Sequence, residues 1–387
     1  MAPEKGFSTI SIHGKGGEGL PYRSLVDPIT QNTTFLLDNI DEFEGILKEG
    51  GGYLYSRVGN PTQCALEERI ALLEGGEATL AFASGMAAIS STMITLLNKG
   101  DHIISDEVIY GCTHDLFEGL ASKIGIEVSF IDLSDPLNLE GAIRENTKLI
   151  FFETPANPTM KLIEIKAIAD IAKAHGVKVI VDNTFATPYI QRPLELGADI
   201  VVHSATKYLC GHGDAIGGLL IGDAELVNSV RSSGLKDLGG CISPFNAWLI
   251  IRGLKTLSIR MKEHDRNANE VARFLEGEEW VESVLYPWLP SHPQYEIAKK
   301  QMSCGGGMIA FIMKREEDVK QLLGRLELCS LAVSLGSVET LIEHPYSMTH
   351  NNYPEKEQLG INKRLIRLSV GIEEVEDIIA DLKNAMK

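Results

Sequence analysis

The sequence predicts an α/β chain: a large domain on a mainly parallel sheet, a smaller α+β domain after it, and an extended arm before it. Three observations carry that reading. Between about residues 62 and 260, short β-branched runs alternate with helical stretches, the pattern of a parallel sheet covered on both faces. Beyond about residue 260, short strands mix with helices instead. The first sixty or so residues are rich in Gly, Pro, Asn and Thr and hold only short apolar pieces. We therefore divide the 387 residues into an arm (1–61) that packs on something else, a large domain (62–260) and a C-terminal domain (261–387).

Each element follows from its local pattern. In the arm, the glycine-rich stretch His13–Gly19 lacks dinucleotide-fingerprint spacing and follows no strand, so a flexible loop is expected. The arm ends in Tyr55-Ser56-Arg57-Val58-Gly59-Asn60-Pro61. Helices are expected near 63–74 and 85–97. Strands are expected at His102–Ser105, Val128–Ile131, Leu149–Glu153, Val177–Asp182, Asp199–His203 and Ile216–Ile221, with helices such as Lys166–His175 between most of them. Ligands of such sheets gather at the C-terminal ends of the strands. Later, Met308–Met313 and Arg364–Val370 read as strands. Val375, Ile378, Ile379, Leu382 and Met386 share one face of a last helix.

Composition narrows the function. Lys plus Arg number 36 and Asp plus Glu 53, a net charge of −17 that argues against a general binder of nucleic acid or anionic membrane. It leaves room for a local anion pocket. The charge-free run Ala78–Asn98 is long enough to span a membrane but is diluted by Ala, Ser, Thr and Gly, so no span is expected. The six cysteines (64, 112, 210, 241, 304, 329) show no zinc or CxxC spacing and read as free thiols in a reducing compartment. With no apolar leader at the N-terminus, a cytoplasmic protein is expected. His203, His212, His344 and His350 show no ligand spacing, so no metal site is expected.

Three positions carry chemistry. Asp182 ends a buried strand and points into the crevice, or else caps a turn. Lys207 lies just past the next strand end, in Ser204-Ala205-Thr206-Lys207-Tyr208; alone it reads equally as a solvated lysine. Ser84-Gly85-Met86 opens the charge-free helix, whose N-terminus is either an anion cradle or a close-packing contact. Together they supply a lysine for a Schiff base, a carboxylate for a pyridinium nitrogen and donors for a phosphate. That is the protein's share of pyridoxal phosphate chemistry.

Ser204-Ala205-Thr206-Lys207-Tyr208, Glu153-Thr154-Pro155-Ala156-Asn157-Pro158 and Tyr55-Ser56-Arg57-Val58-Gly59-Asn60-Pro61-Thr62 together resemble the pyridoxal-phosphate enzymes of Cys/Met metabolism. The resemblance runs from about residue 8 to the C-terminus. It implies the aspartate-aminotransferase-like fold (fold type I) and pyridoxal 5'-phosphate as cofactor. It implies that Lys207 carries the cofactor and moves protons between carbons, and that Asp182 pairs with the pyridine nitrogen. Gly85 and Met86, with Ser204 and Thr206, would bind the phosphate. Tyr55 and Arg57 would reach the phosphate in a neighbouring subunit, giving a homotetramer of dimers with shared sites. Tyr110 would stack on the ring and protonate the leaving group, Asn157 would lie near the ring hydroxyl, and Arg367 would grip the substrate carboxylate beside Ser334. Lowered pKa values are expected for both Lys207 and Tyr110.

Within that family, Cys112, Lys236 and the apolar Leu54 resemble the methionine γ-lyases. The resemblance thus implies a carbon–sulfur lyase releasing methanethiol, 2-oxobutyrate and ammonia from L-methionine. The alternatives are γ-replacement on an activated homoserine ester, as in O-acetylhomoserine sulfhydrylase and cystathionine γ-synthase, and cystathionine γ-lyase chemistry. Two departures bear on the substrate: Leu238-Gly239-Gly240-Cys241 is unusual after Lys236-Asp237, and Tyr346 is bulkier than expected and would narrow the pocket if it entered it.

Overall fold

The computed structural model describes residues 5–14, 24–49, 51–351, 353 and 355–387. Residues 15–19 of the glycine-rich loop lie outside the described residues. Seven strands form the larger sheet: β1 (Ala78–Phe82), β2 (His102–Asp106), β3 (Glu127–Ile131), β4 (Thr147–Glu153), β5 (Lys178–Asp182), β6 (Ile200–Ser204) and β7 (Gly218–Gly222). Their order is β1-β7-β6-β5-β4-β2-β3. β2 to β6 pair in parallel, and β7 runs antiparallel to β6 and β1. β6 reaches β7 through residues 205–217, which contain no helix, whereas a parallel return usually runs through one.

β1 is a strand the sequence pattern hid. It lies in the charge-free run, where Ala and Thr dilute the β signal, and the run breaks at Ser84-Gly85 into strand and helix. Asn60 caps the helix Pro61–Glu74, and Ser84 caps Gly85–Leu96 by accepting from Ala87 N–H at 3.1 Å. The central strands are buried along nearly their whole length, as sheets covered on both faces require. Among the described residues no helix is long and apolar enough to cross a membrane.

Five strands form a second sheet: β8 (Val281–Leu285), β9 (Met308–Met313), β10 (Ser330–Leu331), β11 (Leu341–Glu343) and β12 (Leu365–Ser369), in the order β10-β11-β12-β9-β8. All its pairs are antiparallel except β10 with β11. The helix Val375–Ala385 packs on it through buried Val375, Ile378 and Leu382.

The N-terminal residues divide in two. The helix Phe7–His13 packs on its own subunit: Phe7 meets Tyr189 edge-on at 5.5 Å and the Ser8 hydroxyl donates to Ser258 Oγ at 3.0 Å; farther along, Asp27 pairs with Arg69 at 3.3 Å. After it, Thr34 bridges Tyr55, and the intervening chain leaves Leu36 97% and Ile40 75% exposed.

Candidate active site

Three parallel strands end side by side: β4 at Glu153, β5 at Asp182 and β6 at Ser204. Their ends, with the start of helix Gly85–Leu96, form one wall of a cavity of about 290 Å³. The opposite wall comes from Arg367 on β12 of the second sheet and from Ser334 in the loop between β10 and β11. Ten of the residues expected at the site line this cavity: Gly85, Met86, Tyr110, Asn157, Asp182, Ser204, Thr206, Lys207, Ser334 and Arg367.

At the strand-end wall, Asp182 accepts from Thr184 N–H at 2.9 Å. Thr184 Oγ1 in turn accepts from Ser204 N–H at 2.8 Å, tying the two strand ends together. Burial raises the Asp182 carboxyl above its ordinary range, against the bonds from Thr184. Glu153, in register with Asp182, is pushed up further, by burial and then by Asp182 itself. Glu153 accepts from Tyr110 N–H at 2.7 Å and from Asn157 N–H at 3.4 Å. It thereby joins the segments carrying Tyr110 and Asn157. The Thr206 hydroxyl accepts from Gly217 N–H at 3.1 Å and so braces the loop after Lys207.

Lys207 Nζ donates to Ser334 Oγ at 2.8 Å. Burial, and then the Arg367 charge, lower its amine to about 8, against the opposing pull of Glu343. Ser334 has φ 89°, a left-handed backbone that costs a non-glycine residue energy. That turn lets one residue serve two cations, because its carbonyl also accepts from Arg367 Nη2 at 2.6 Å. Arg367 Nη1 donates to Asn157 Oδ1 at 2.7 Å. Behind Arg367, Glu343 Oε2 lies 3.0 Å from Nη2.

Tyr110 departs from expectation. Burial and the Cys112 thiol raise its phenol rather than lower it, outweighing the Arg367 charge. It is therefore held protonated. Cys112 touches Tyr110 without lining the cavity, and Lys236 is half exposed and pairs with Asp237 at 3.5 Å. Tyr55 and Arg57 also lie off the cavity wall, with the Arg57 guanidinium 5.4 Å over the Tyr55 ring. Tyr346 does not line the cavity: Lys356 Nζ sits 3.8 Å from its ring centroid, and its hydroxyl donates to Glu357.

The comparisons with known proteins meet this geometry. A family model described as "Cys/Met metabolism PLP-dependent enzyme" matches residues 8–387. The chain is 53% identical to an L-methionine gamma-lyase of Porphyromonas gingivalis, over 98% of this chain and 97% of that one. It is 48% identical to a cystathionine beta-lyase of Lactococcus lactis, over 98% and 99% respectively. Among solved structures, the crystal structure of metB from Corynebacterium glutamicum superposes with a TM-score of 0.93 at 42% identity, covering 99% of this chain and 98% of that one. The chain belongs to the Cys/Met metabolism PLP-dependent enzymes.

The cofactor of this family is pyridoxal 5'-phosphate, and the residues present fit it. A half-buried amine (Lys207) and a half-buried carboxyl (Asp182) share the cavity. The helix N-terminus approaches Ser204 so closely that a Cβ on Gly85 would meet the Ser204 Cβ at 3.1 Å. The first amides of that helix have no acceptor within it, which suits a phosphate. Sequence reasoning missed Glu153, Thr184, Thr349 and Glu343. Glu153 carried a usable signal, since it ends a buried strand as Asp182 does. Glu343 carried none.

Proposed function

We propose that this enzyme is an L-methionine γ-lyase, cleaving the carbon–sulfur bond to give methanethiol, 2-oxobutyrate and ammonia. The observation that supports it most is the near-full-length similarity to several L-methionine gamma-lyases, at 53%, 50% and 48% identity. The cavity agrees with a thioether tail, since Met86, Ile89, Ile216, Val333 and Leu335 contribute apolar walls.

Bound through Lys207, pyridoxal phosphate supplies an electron sink for a carbanion at the substrate α-carbon. The chain's own residues do the rest. Arg367 takes the α-carboxylate as a two-pronged donor, with Ser334 and Asn157 holding its fork. Lys207, its amine lowered by burial and the Arg367 charge, removes the α-proton and then a β-proton, whose bonding pair expels the γ-thiolate, and its bond to Ser334 gives it a second resting place. Tyr110, held as neutral phenol, donates a proton to the departing thiolate. Asp182 would pair with the ring nitrogen, and Ser204, Thr206, Gly85 and Met86 would hold the phosphate.

Cys112 and Lys236 act at the substrate's distal end in this reading. Tyr55 and Arg57 belong to a neighbouring subunit's site. The exposed apolar residues of the arm, Leu36 and Ile40 among them, support an arm (1–61) that docks on another subunit in a homotetramer, beside a large domain (62–260) and a C-terminal domain (261–387). Free cysteines agree with a cytoplasmic location.

The test follows thiol and 2-oxobutyrate together from L-methionine, with cystathionine and O-acetylhomoserine plus sulfide in parallel. Equal thiol and oxo acid from methionine, absent in Lys207→Ala, is the expected result. Silence with methionine would overturn the reading. Pyruvate from cystathionine would then favour the second reading, cystathionine β-cleavage, which the Lactococcus lactis relatives support.

A further inference from the structure

The carboxylate end of the cavity holds a feature that the proposed reaction does not use. Glu343 and Arg367 face each other across the antiparallel pair β11–β12. Both are almost wholly buried, at 1% and 3% exposure. Glu343 divides its oxygens: Oε1 accepts from the cavity-lining Thr349 hydroxyl at 3.0 Å, and Oε2 meets Arg367 Nη2 at 3.0 Å. Arg367 Nη1 and Nη2 are also engaged by Asn157 and the Ser334 carbonyl, while its Nε is buried with no partner among the described residues. Asn157 and Ser334 thus fix the fork by hydrogen bonds, whereas Glu343 meets it by charge alone, since its Oε2 is likewise buried with no hydrogen-bond partner among the described residues. Glu343 itself does not line the cavity.

Charge makes this arrangement more than a brace. Lys207 and Arg367 bring two cations to one small cavity, and Glu343 is the carboxylate paired directly with one of them. A buried arginine needs a counter-ion, yet a counter-ion already in place weakens its pull on an incoming carboxylate.

We propose that Glu343 is a specificity-determining positioning residue: acting through Arg367, it tempers the charge of the guanidinium that Asn157 and Ser334 hold in place, setting how strongly the site prefers a ligand with an α-carboxylate. This rests on the reading above that Arg367 takes the α-carboxylate.

The experiment compares two probes on the holoenzyme. L-Norleucine matches methionine in shape without a thiol to lose, and n-pentylamine is the same amine without the carboxylate. Their dissociation constants are read from the change in cofactor absorbance. Glu343→Gln keeps an oxygen for Arg367 and an amide for Thr349 but removes the charge. It should raise the preference for norleucine over pentylamine by about tenfold or more, because a charge a few ångströms away in a partly buried site is weakly screened. Glu343→Asp keeps the charge and should hold that preference within about twofold of the parent, and it serves if the Gln variant does not fold. A merely structural role would lower stability and leave the ratio alone. An unchanged ratio in Glu343→Gln, or an equal rise in Glu343→Asp, would overturn the proposal. If the parent enzyme showed no preference for norleucine, the assignment of Arg367 itself would fall, a result distinguishable from the other two.

Discussion

The two ends of the cavity are built differently. The strand-end wall is assembled from consecutive parallel strands, and Asp182, Thr184 and Ser204 are linked by bonds spanning at most about twenty residues. The carboxylate end is assembled from afar: Arg367 meets Asn157 across 210 positions and Ser334 across 33, and Lys207 meets Ser334 across 127. The first wall is a by-product of the parallel sheet. The second exists only where the two sheets meet. Its charges are compensated by one another, so it should be the more brittle of the two.

The largest effect should come from removing its central cation. Arg367→Met leaves the buried Glu343 with only the Thr349 hydroxyl and no cation, which should cost about 3–5 kcal/mol in urea unfolding. Arg367→Met with Glu343→Leu should recover most of that loss without recovering carboxylate binding. If the double variant were as unstable as the single one, the unpaired carboxylate would not be the cause.

A smaller effect concerns Lys207, which joins the two walls. In cofactor-free protein its amine is lowered to about 8 from 10.5 by burial and Arg367. Between those pH values the unfolded chain binds more protons than the folded one, so this group's contribution makes stability rise with pH through that window and flat below it. Denaturant midpoints of Lys207→Met should lack that rise. An equal rise in the variant would assign it to other groups.

The smallest effect tests a residue that belongs to neither wall. Tyr346 is stacked under Lys356 and lies off the cavity. Tyr346→Ala should change KM for methionine by less than about twofold, as expected of a surface position. A large change would put Tyr346 back at the pocket's rim.

Much of the strand-end wall was legible beforehand. Asp182, Ser204 and Lys207 were visible because a polar residue closing a β-branched run has a fixed place at the sheet's rim. β1 was not, because its small residues give little periodicity and helix and strand share one charge-free run. The cavity's other end was reachable only through family motifs, which supplied Arg367 and Ser334 but neither Glu343 nor Thr349.

The sequence by itself determined the α/β fold class, the cofactor and the family, and offered Lys207 as the lysine proposed to carry that cofactor, because local patterning and contiguous motifs encode them. Only the tertiary structure decided the reversal of β7, the φ of Ser334, the raised phenol of Tyr110, the displacement of Tyr346 and the ion pair behind Arg367. Each depends on burial and on contacts between segments far apart in the chain. Desolvation and charge pairing act through space, and one-dimensional spacing does not record them.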